Sequence, residues 1–312
     1  MQKNHQTKQS KITVKVKGQK QLTENHMVLN LRLPSTVEFN IENQRISIQA
    51  FDATEAKQNL HKQAVNIVAS GPSVANVTFS ELRDTPTIFV NGSISLTKQH
   101  NFTNVVGYVI SDAHFINHQP EILRQHYAGQ PLYATLAVFE AMAVTHPDIM
   151  RTYHHAMRVL YPVDRLWGVK SNKLLFSKLT FKKKLLNKKR PLSHFMNHPN
   201  FIIDGSHRSA NIGVSLNITY GFVEAGTVAY VATQLAFSRH ASVIHLYGMD
   251  LLNSNQPRFY ENEDNSAPSK LDKATSERIV PSFNLLGRVY KEHGVSIINH
   301  SPISKALFNS LC

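Results

Sequence analysis

The sequence predicts an α/β fold, a mostly parallel sheet flanked by helices, on three observations. Short apolar runs of strand length end in small or polar residues: Ala64-Val-Asn-Ile-Val-Ala69 at Ser70-Gly-Pro-Ser73, Thr87-Ile-Phe-Val90 at Asn91-Gly-Ser93, and Val105 to Ile110 at Ser111-Asp112. Unbroken apolar runs suit strands covered on both faces, and the polar residues at their C-terminal ends mark where such an open sheet binds its ligand. The later part of the chain then alternates helix-like and strand-like stretches, the order expected of α/β proteins. Finally, 312 residues with 42% hydrophobic and 18% charged side chains can bury a sizeable core, which excludes disorder throughout.

Taken in order, Ile12-Thr-Val-Lys-Val16, Met27 to Leu33 and Val37 to Ala50 alternate with period two, and residues 1–60 are expected to form a small strand-rich N-terminal appendage. Residues 61–312 are expected to form the α/β domain. Within it an insert of about 120–205 is expected, opening with a helix from Leu132 to Thr145 that Pro147 stops, then passing Trp167 into KSNKLLFSKLTFKKKLLNKKR, Lys170 to Arg190. Leu174, Leu175, Leu179, Phe181, Leu185 and Leu186 share about half of a helical wheel, but Lys178, Lys182 and Lys189 fall on the same side, so the amphipathicity is imperfect. Beyond the insert come a helix in Ala225 to Ser238, a strand Ser242 to Tyr247 ending at Gly248-Met-Asp250, a helix from about Lys273 to Glu292, and a strand Val295 to Ile298 ending at Asn299-His-Ser-Pro302.

Lys plus Arg number 34 and Asp plus Glu 21, a net charge of +13, which favours polyanionic partners such as nucleic acid, an anionic membrane surface or phosphorylated substrates. The single cysteine, Cys312, excludes a disulfide framework and a cysteine-rich zinc site, and fits a reducing, cytoplasmic setting. The first twenty residues are basic without an apolar stretch, unlike a secretory signal, and no run of about eighteen apolar residues predicts a membrane span. A protein of this kind that works at a membrane lies on its surface.

Ser70-Gly71-Pro72-Ser73 after a strand can cradle a phosphate or sugar with backbone N–H groups, or be a plain turn. It is neither a Walker loop nor a dinucleotide fingerprint. Asn91-Gly92-Ser93 offers an amide and a hydroxyl to a base or ribose, though Asn-Gly is also a common turn. Asp112 and His114 can divide proton transfer and orientation, while Asp112 could equally cap the helix that follows. The 17 histidines show no H-E-x-x-H or similar ligand spacing, so no metal site is expected. The stretch from Arg165 to Arg190 holds ten basic residues and no acid, and reads as a surface anchor or as a solvated helix face.

VNIVASGPS, PTIFVNGSISL, VVGYVISDAHF, EAGTVAYVATQLAF, VIHLYGMDLLNSNQPRFYENE and IINHSP, in this order, resemble the bacterial lipopolysaccharide-core Kdo transferases that add a third Kdo. More distantly they are similar to bacterial sialyltransferases that use CMP-sialic acid. The resemblance implies a Rossmann-like glycosyltransferase that takes a CMP-activated keto-deoxy sugar acid without an obligatory metal or other cofactor. It implies that Gly71, Pro72, Ser73, Asn91, Gly92 and Ser93 hold the CMP half of the donor. Gly226 and Thr227 would face the sugar carboxylate, and Gly248, Asp250, Arg258 and Tyr260 would surround the leaving phosphate. The sialyltransferases carry a histidine base before the last long helix, where this chain reads Ser266-Ala-Pro-Ser-Lys270. Asp112, in its S-D-x-x-F context, is therefore the first candidate for the base and His114 the second.

The expected partners are a CMP-activated sugar, a Kdo-lipid A type acceptor and the anionic inner face of the inner membrane, which Lys182, Lys183, Lys184, Lys188, Lys189 and Arg190 would contact. A sialic acid donor is the nearest alternative. A nucleic-acid-binding protein is a third reading, motivated by charge but without an RNA-recognition, KH or zinc-finger signature, and no nucleic acid is expected.

Overall fold

The computed structural model describes residues 13–19, 33–168, 189–207, 211–252, 258–261 and 274–312. The strands are β1 (Thr13–Gln19), β2 (Pro34–Ile41), β3 (Gln44–Ala50), β4 (Ala64–Val68), β5 (Thr87–Val90), β6 (Val105–Ile110), β7 (Leu132–Thr135), β8 (Met157–Leu160), β9 (Phe201–Asp204), β10 (Ile212–Ser215), β11 (Val243–Tyr247) and β12 (Ser296–Asn299). The α-helices are α1 (Leu96–His100), α2 (Ala113–His118), α3 (Pro120–His126), α4 (Leu136–Thr145), α5 (Pro147–Tyr153), α6 (Val228–Ser238) and α7 (Val280–Glu292). Ten strands form one sheet in the order β1-β2-β3-β8-β7-β6-β5-β4-β11-β12, and β9 and β10 form a separate antiparallel pair. Within the large sheet β2 runs against its neighbours β1 and β3, and the pairs from β3 to β12 are all parallel. This is the α/β, mostly parallel sheet that the apolar runs predict.

Alternation along the central strands explains why both faces are covered. Val65 and Ile67, Ile88 and Val90, and Val109 pack with α6 and α7 on one face, whereas Val68, Phe89, Tyr108 and Ile110 pack with α2, α4 and the β2–β3 hairpin on the other. That hairpin turns through Glu42 and Asn43, both with positive φ (48° and 68°), the two-residue turn whose twist matches paired strands. Its apolar residues Val37, Phe39, Ile46 and Ile48 are buried in the same core as α2 and α4, and β3 pairs with β8 through Gln49 and Ala50. The N-terminal strands therefore extend the main sheet.

Leu132 to Thr145 is not a single helix: Leu132–Thr135 is the strand β7, and the helix begins at Leu136. Both parts are buried on every side, from Leu132 to Ala143, so neither a period of two nor one of 3.6 is visible in the sequence. Two strands of the sheet, β7 and β8, thus come from the stretch read as an insert. Most of Met27 to Leu33 and the segment Lys170 to Lys188, with its apolar and lysine stripes, lie outside the described residues. Among the described residues no helix is long and apolar enough to cross a membrane.

Candidate active site

From β4 the sheet is built through β5, β6, β7 and β8 on one side, while β11 and β12 are added on the other. The strand order reverses between β4 and β11, and a ligand crevice opens at the C-terminal ends of strands beside such a point. A cavity of about 440 Å³ lies there, lined by the loops after β4 (Ala69 to Pro72), β5 (Asn91), β6 (Ser111, Asp112) and β11 (Gly248 to Leu251).

Two glycines let those loops touch. The Gly71 N–H donates to the Gly248 carbonyl at 2.9 Å, and a Cβ on Gly71 would stand 2.5 Å from that oxygen and 2.4 Å from Asp250 Oδ2. Gly248 has φ +70°, and a Cβ there would strike Val74 at 2.3 Å. Asp250 then accepts from the Ser73 N–H at 2.6 Å and from Ser73 Oγ at 2.8 Å. Ser73 thereby fixes the loop from behind and does not line the cavity.

The loop after β5 is organised as tightly. Asn91 adopts a left-handed conformation at φ +50°, which asparagine tolerates better than most residues, and its buried Oδ1 has no hydrogen-bond partner among the described residues. Gly92 lies under the Tyr260 ring, since a Cβ there would be 2.1 Å from Tyr260 Cε1. Tyr260 is hydrogen-bonded to Arg258 and Ser70, and burial pushes its hydroxyl up to about 12 against the pull of Arg258. Ser93 is fully buried; its Oγ donates to the Val68 carbonyl at 2.6 Å and accepts from the Val90 N–H at 2.9 Å, tying β4 to β5. Gly92, Ser93 and Tyr260 support the wall without lining the cavity.

Asp112 lines the cavity and also caps α2, its Oδ1 accepting from the His114 N–H at 2.8 Å. The capping reading of this residue is thus observed, and the cap leaves Asp112 in the cavity lining. Burial raises the Asp112 carboxyl above the usual range; the His114 N–H and ring charge and Arg165 oppose this, and the Glu224 carboxylate adds to it. The His114 ring lies 5.9 Å from that of His118 and is not in the cavity lining. Gly226, with φ +86°, and Thr227 border the cavity just before α6.

Three further lining residues, Arg165, Glu224 and Arg278, are absent from the sequence-based candidates. Arg165 is ion-paired with Glu224, and Arg278 Nη2 donates to the Glu224 carbonyl at 2.7 Å. Glu224 opens the quoted stretch EAGTVAY, and a charged residue beside a glycine turn was the available signal. Arg258 also lines the cavity and is paired with Glu261. Asp164, buried beside Arg165, has its carboxyl raised by desolvation. Among the described residues no group of three or more His, Cys, Asp or Glu is arranged to hold a metal ion.

Of the basic residues expected at the membrane, Lys182, Lys183, Lys184 and Lys188 lie outside the described residues, as does Ser266 to Lys270. Lys189 and Arg190 are exposed; Lys189 Nζ is 3.8 Å from Asp164 Oδ2, and the Arg190 N–H donates to the Asp164 carbonyl at 2.7 Å. The chain thus rejoins the described fold against Asp164, the neighbour of the cavity-lining Arg165.

Residues 48–303 match the family described as 3-deoxy-D-manno-octulosonic acid transferase WaaZ. The chain belongs to this family. The match to the WaaZ family spans every cavity-lining loop, from the end of β3 past β12, and makes the protein a glycosyltransferase of lipopolysaccharide biosynthesis. Relatives include a probable 3-deoxy-manno-octulosonic acid transferase of Salmonella typhimurium, 27% identical over 221 residues (70% of this chain, 76% of that protein). The Escherichia coli protein of the same name is 26% identical over 238 residues, 75% of this chain and 77% of that protein. Among solved structures, the sialyltransferase CstII from Campylobacter jejuni in complex with a substrate analogue, cytidine-5'-monophosphate, is 12% identical with a TM-score of 0.39, covering 80% of this chain and 84% of that one.

Proposed function

We propose that the protein moves Kdo from CMP-Kdo to the inner core of lipopolysaccharide or lipooligosaccharide, at the cytoplasmic face of the inner membrane and without a metal ion. The observation that carries this reading is the meeting, in one cavity, of Asp112 with three arginines, Arg165, Arg258 and Arg278, beside the Gly71–Gly248 crevice. Membership of the WaaZ family supports Kdo over sialic acid as the sugar.

In this reading the nucleotide occupies the crevice at the ends of β4, β5 and β11. Gly71 and Gly248 let the two loops that bound it meet closely, and the unpartnered Asn91 Oδ1 accepts a hydrogen bond from the base or ribose. Arg258, braced by Tyr260, faces the phosphate. Asp250 is committed to Ser73, and a carboxylate repels an anion, so its part is to shape the loop. The acceptor hydroxyl oxygen forms the new bond to the anomeric carbon. The bond from that carbon to the phosphate oxygen breaks with its electrons leaving on CMP, and Asp112 takes the hydroxyl proton. A carboxyl raised by burial is better matched to proton transfer near neutral pH than an ordinary aspartate. Arginine N–H groups offset the charge that grows on the leaving phosphate.

The test pairs binding with turnover. CMP should raise the melting temperature more than UDP or GDP, since a ligand that binds only the folded state stabilises it, and CMP-Kdo generated in place should add one Kdo to a Kdo-lipid A acceptor, read by mass spectrometry. Equal shifts with all nucleotides and no mass increment would reject the reading.

A further inference from the structure

The three cavity arginines are not equivalent. Arg165 is paired with Glu224 and Arg258 with Glu261. Arg278 lines the same cavity, yet among the described residues no carboxylate oxygen lies within 4.0 Å of it; its contact is the Glu224 backbone carbonyl. The hydrogen bond to a neutral carbonyl holds the guanidinium in place without cancelling its charge.

Its position is built rather than incidental. Arg278 stands on a π-type turn, Thr275–Ile279, that leads into α7, and such turns recur at functional sites because they re-aim a side chain that a regular helix would place elsewhere. Thr275 and Ile279 on either side are buried. Gly226 adjoins it: a Cβ there would lie 3.8 Å from Ile279 Cγ1 and 4.0 Å from Arg278 Cδ. Arg258, by contrast, belongs to the nucleotide crevice, through Tyr260 over Gly92 and the Phe259 N–H to the Ser70 carbonyl at 3.4 Å. Arg278 reaches the cavity from the side of Glu224, whose charge acts on Asp112. The two arginines therefore enter the cavity from different elements.

We propose that Arg278 is a specificity-determining residue that recognises the carboxylate of the transferred sugar acid. A guanidinium presents parallel N–H donors that match a carboxylate in a way an ammonium group cannot. This inference rests on the CMP-sugar reading. It adds that the carboxylate, the group absent from neutral sugars, is read by one cation distinct from the phosphate contact.

Arg278→Met keeps the aliphatic stem and removes the charge; Arg278→Lys keeps the charge and removes the fork. Calorimetry with CMP, which lacks the sugar, and the KM for CMP-Kdo separate the possibilities. The expected result is CMP affinity within about twofold of wild type for both variants, with donor KM raised about tenfold or more in Arg278→Met, the scale of a lost charged hydrogen bond, and partly restored in Arg278→Lys. Equal loss of CMP and donor affinity would make Arg278 a phosphate or structural residue and overturn the proposal, as would an unchanged donor KM. Should Arg278→Met fail to fold, judged by its melting transition, the Arg278→Lys comparison of CMP affinity with donor KM decides alone: a raised KM at unchanged CMP affinity sustains the proposal and any other pattern rejects it. Wild-type protein that binds neither ligand rejects the donor reading itself.

Discussion

Asp250 holds Ser73 by two hydrogen bonds, to its N–H at 2.6 Å and its hydroxyl at 2.8 Å, across 177 residues of chain. This clasp joins the loop after β11 to the loop after β4 and sets the width of the crevice between them. Asp250→Ala should weaken CMP binding at least tenfold, because hydrogen bonds to a charged group are among the stronger ones. Ser73→Ala, which leaves the N–H bond intact, should cost less. Calorimetry on both variants checks the order, and the reverse order would separate the clasp from ligand binding.

Asp112→Asn preserves the shape of the side chain and its ability to cap α2, so the variant should melt near wild type and bind CMP. It cannot accept a proton, and turnover should fall about a hundredfold or more. In the wild type, turnover should decline as pH falls through the raised Asp112 value, since the protonated acid is no base. The variant should lack that limb. Turnover within a few fold of wild type would move the role away from Asp112, and His114→Ala is the next substitution to assay.

His245 Nδ1 and His300 Nε2 are 2.8 Å apart, with Tyr247 stacked on His300 at 4.5 Å. Burial lowers both imidazoles below 6.5, and His245 and Lys305 add to the effect on His300. A base whose folded pKa lies below its unfolded value stabilises the fold above the unfolded value and loses that contribution as pH falls through the folded one. The melting temperature should therefore drop on acidification below 6.5. His245→Gln with His300→Gln should flatten the slope without abolishing it, because His126, His146 and His198 shift the same way. An unchanged slope in the double variant would show that the pair does not titrate with unfolding.

Replacing Lys182, Lys183, Lys184, Lys188 and Lys189 by Gln tests the basic segment. If it attracts the enzyme to anionic lipid, the substitutions should release the protein from anionic vesicles at low salt, as added salt does for the wild type. Activity on a deacylated, soluble acceptor should change little. Unchanged sedimentation would sink the membrane role, and loss of activity on both acceptors would place the lysines at the acceptor sugar instead.

What could be read from the sequence follows from which interactions are local. β4, β5 and β6 were legible because each is an apolar run that stops at a polar turn, and those turns held Gly71, Asn91 and Asp112, all in the cavity lining. Leu132 to Thr135 was not legible as a strand, because a strand and a helix buried on all sides leave the same apolar record. Arg165, Glu224 and Arg278 come from three separate stretches and meet only through the sheet's connections. Ser93 and Tyr260 were found as motif members, but their parts as a tie and a brace depend on Val68 and Gly92, which no spacing rule connects to them.

The pairing of β4 with β11 also bears on how the protein is made. Val65 and Ile67 are fully buried, and the β11 residues Ile244 and Leu246 pair with them, yet β11 leaves the ribosome roughly 180 residues after β4, about ten to forty seconds later at ordinary elongation rates. Through that interval one side of β4 is an unpaired apolar strand edge, the kind that templates aggregation. Half of the crevice between the loops after β4 and β11 would meanwhile exist without its other half. Yield in the cell should thus depend on chaperones that shield nascent strands, and slower growth temperatures should favour recovery of active enzyme over inclusion bodies.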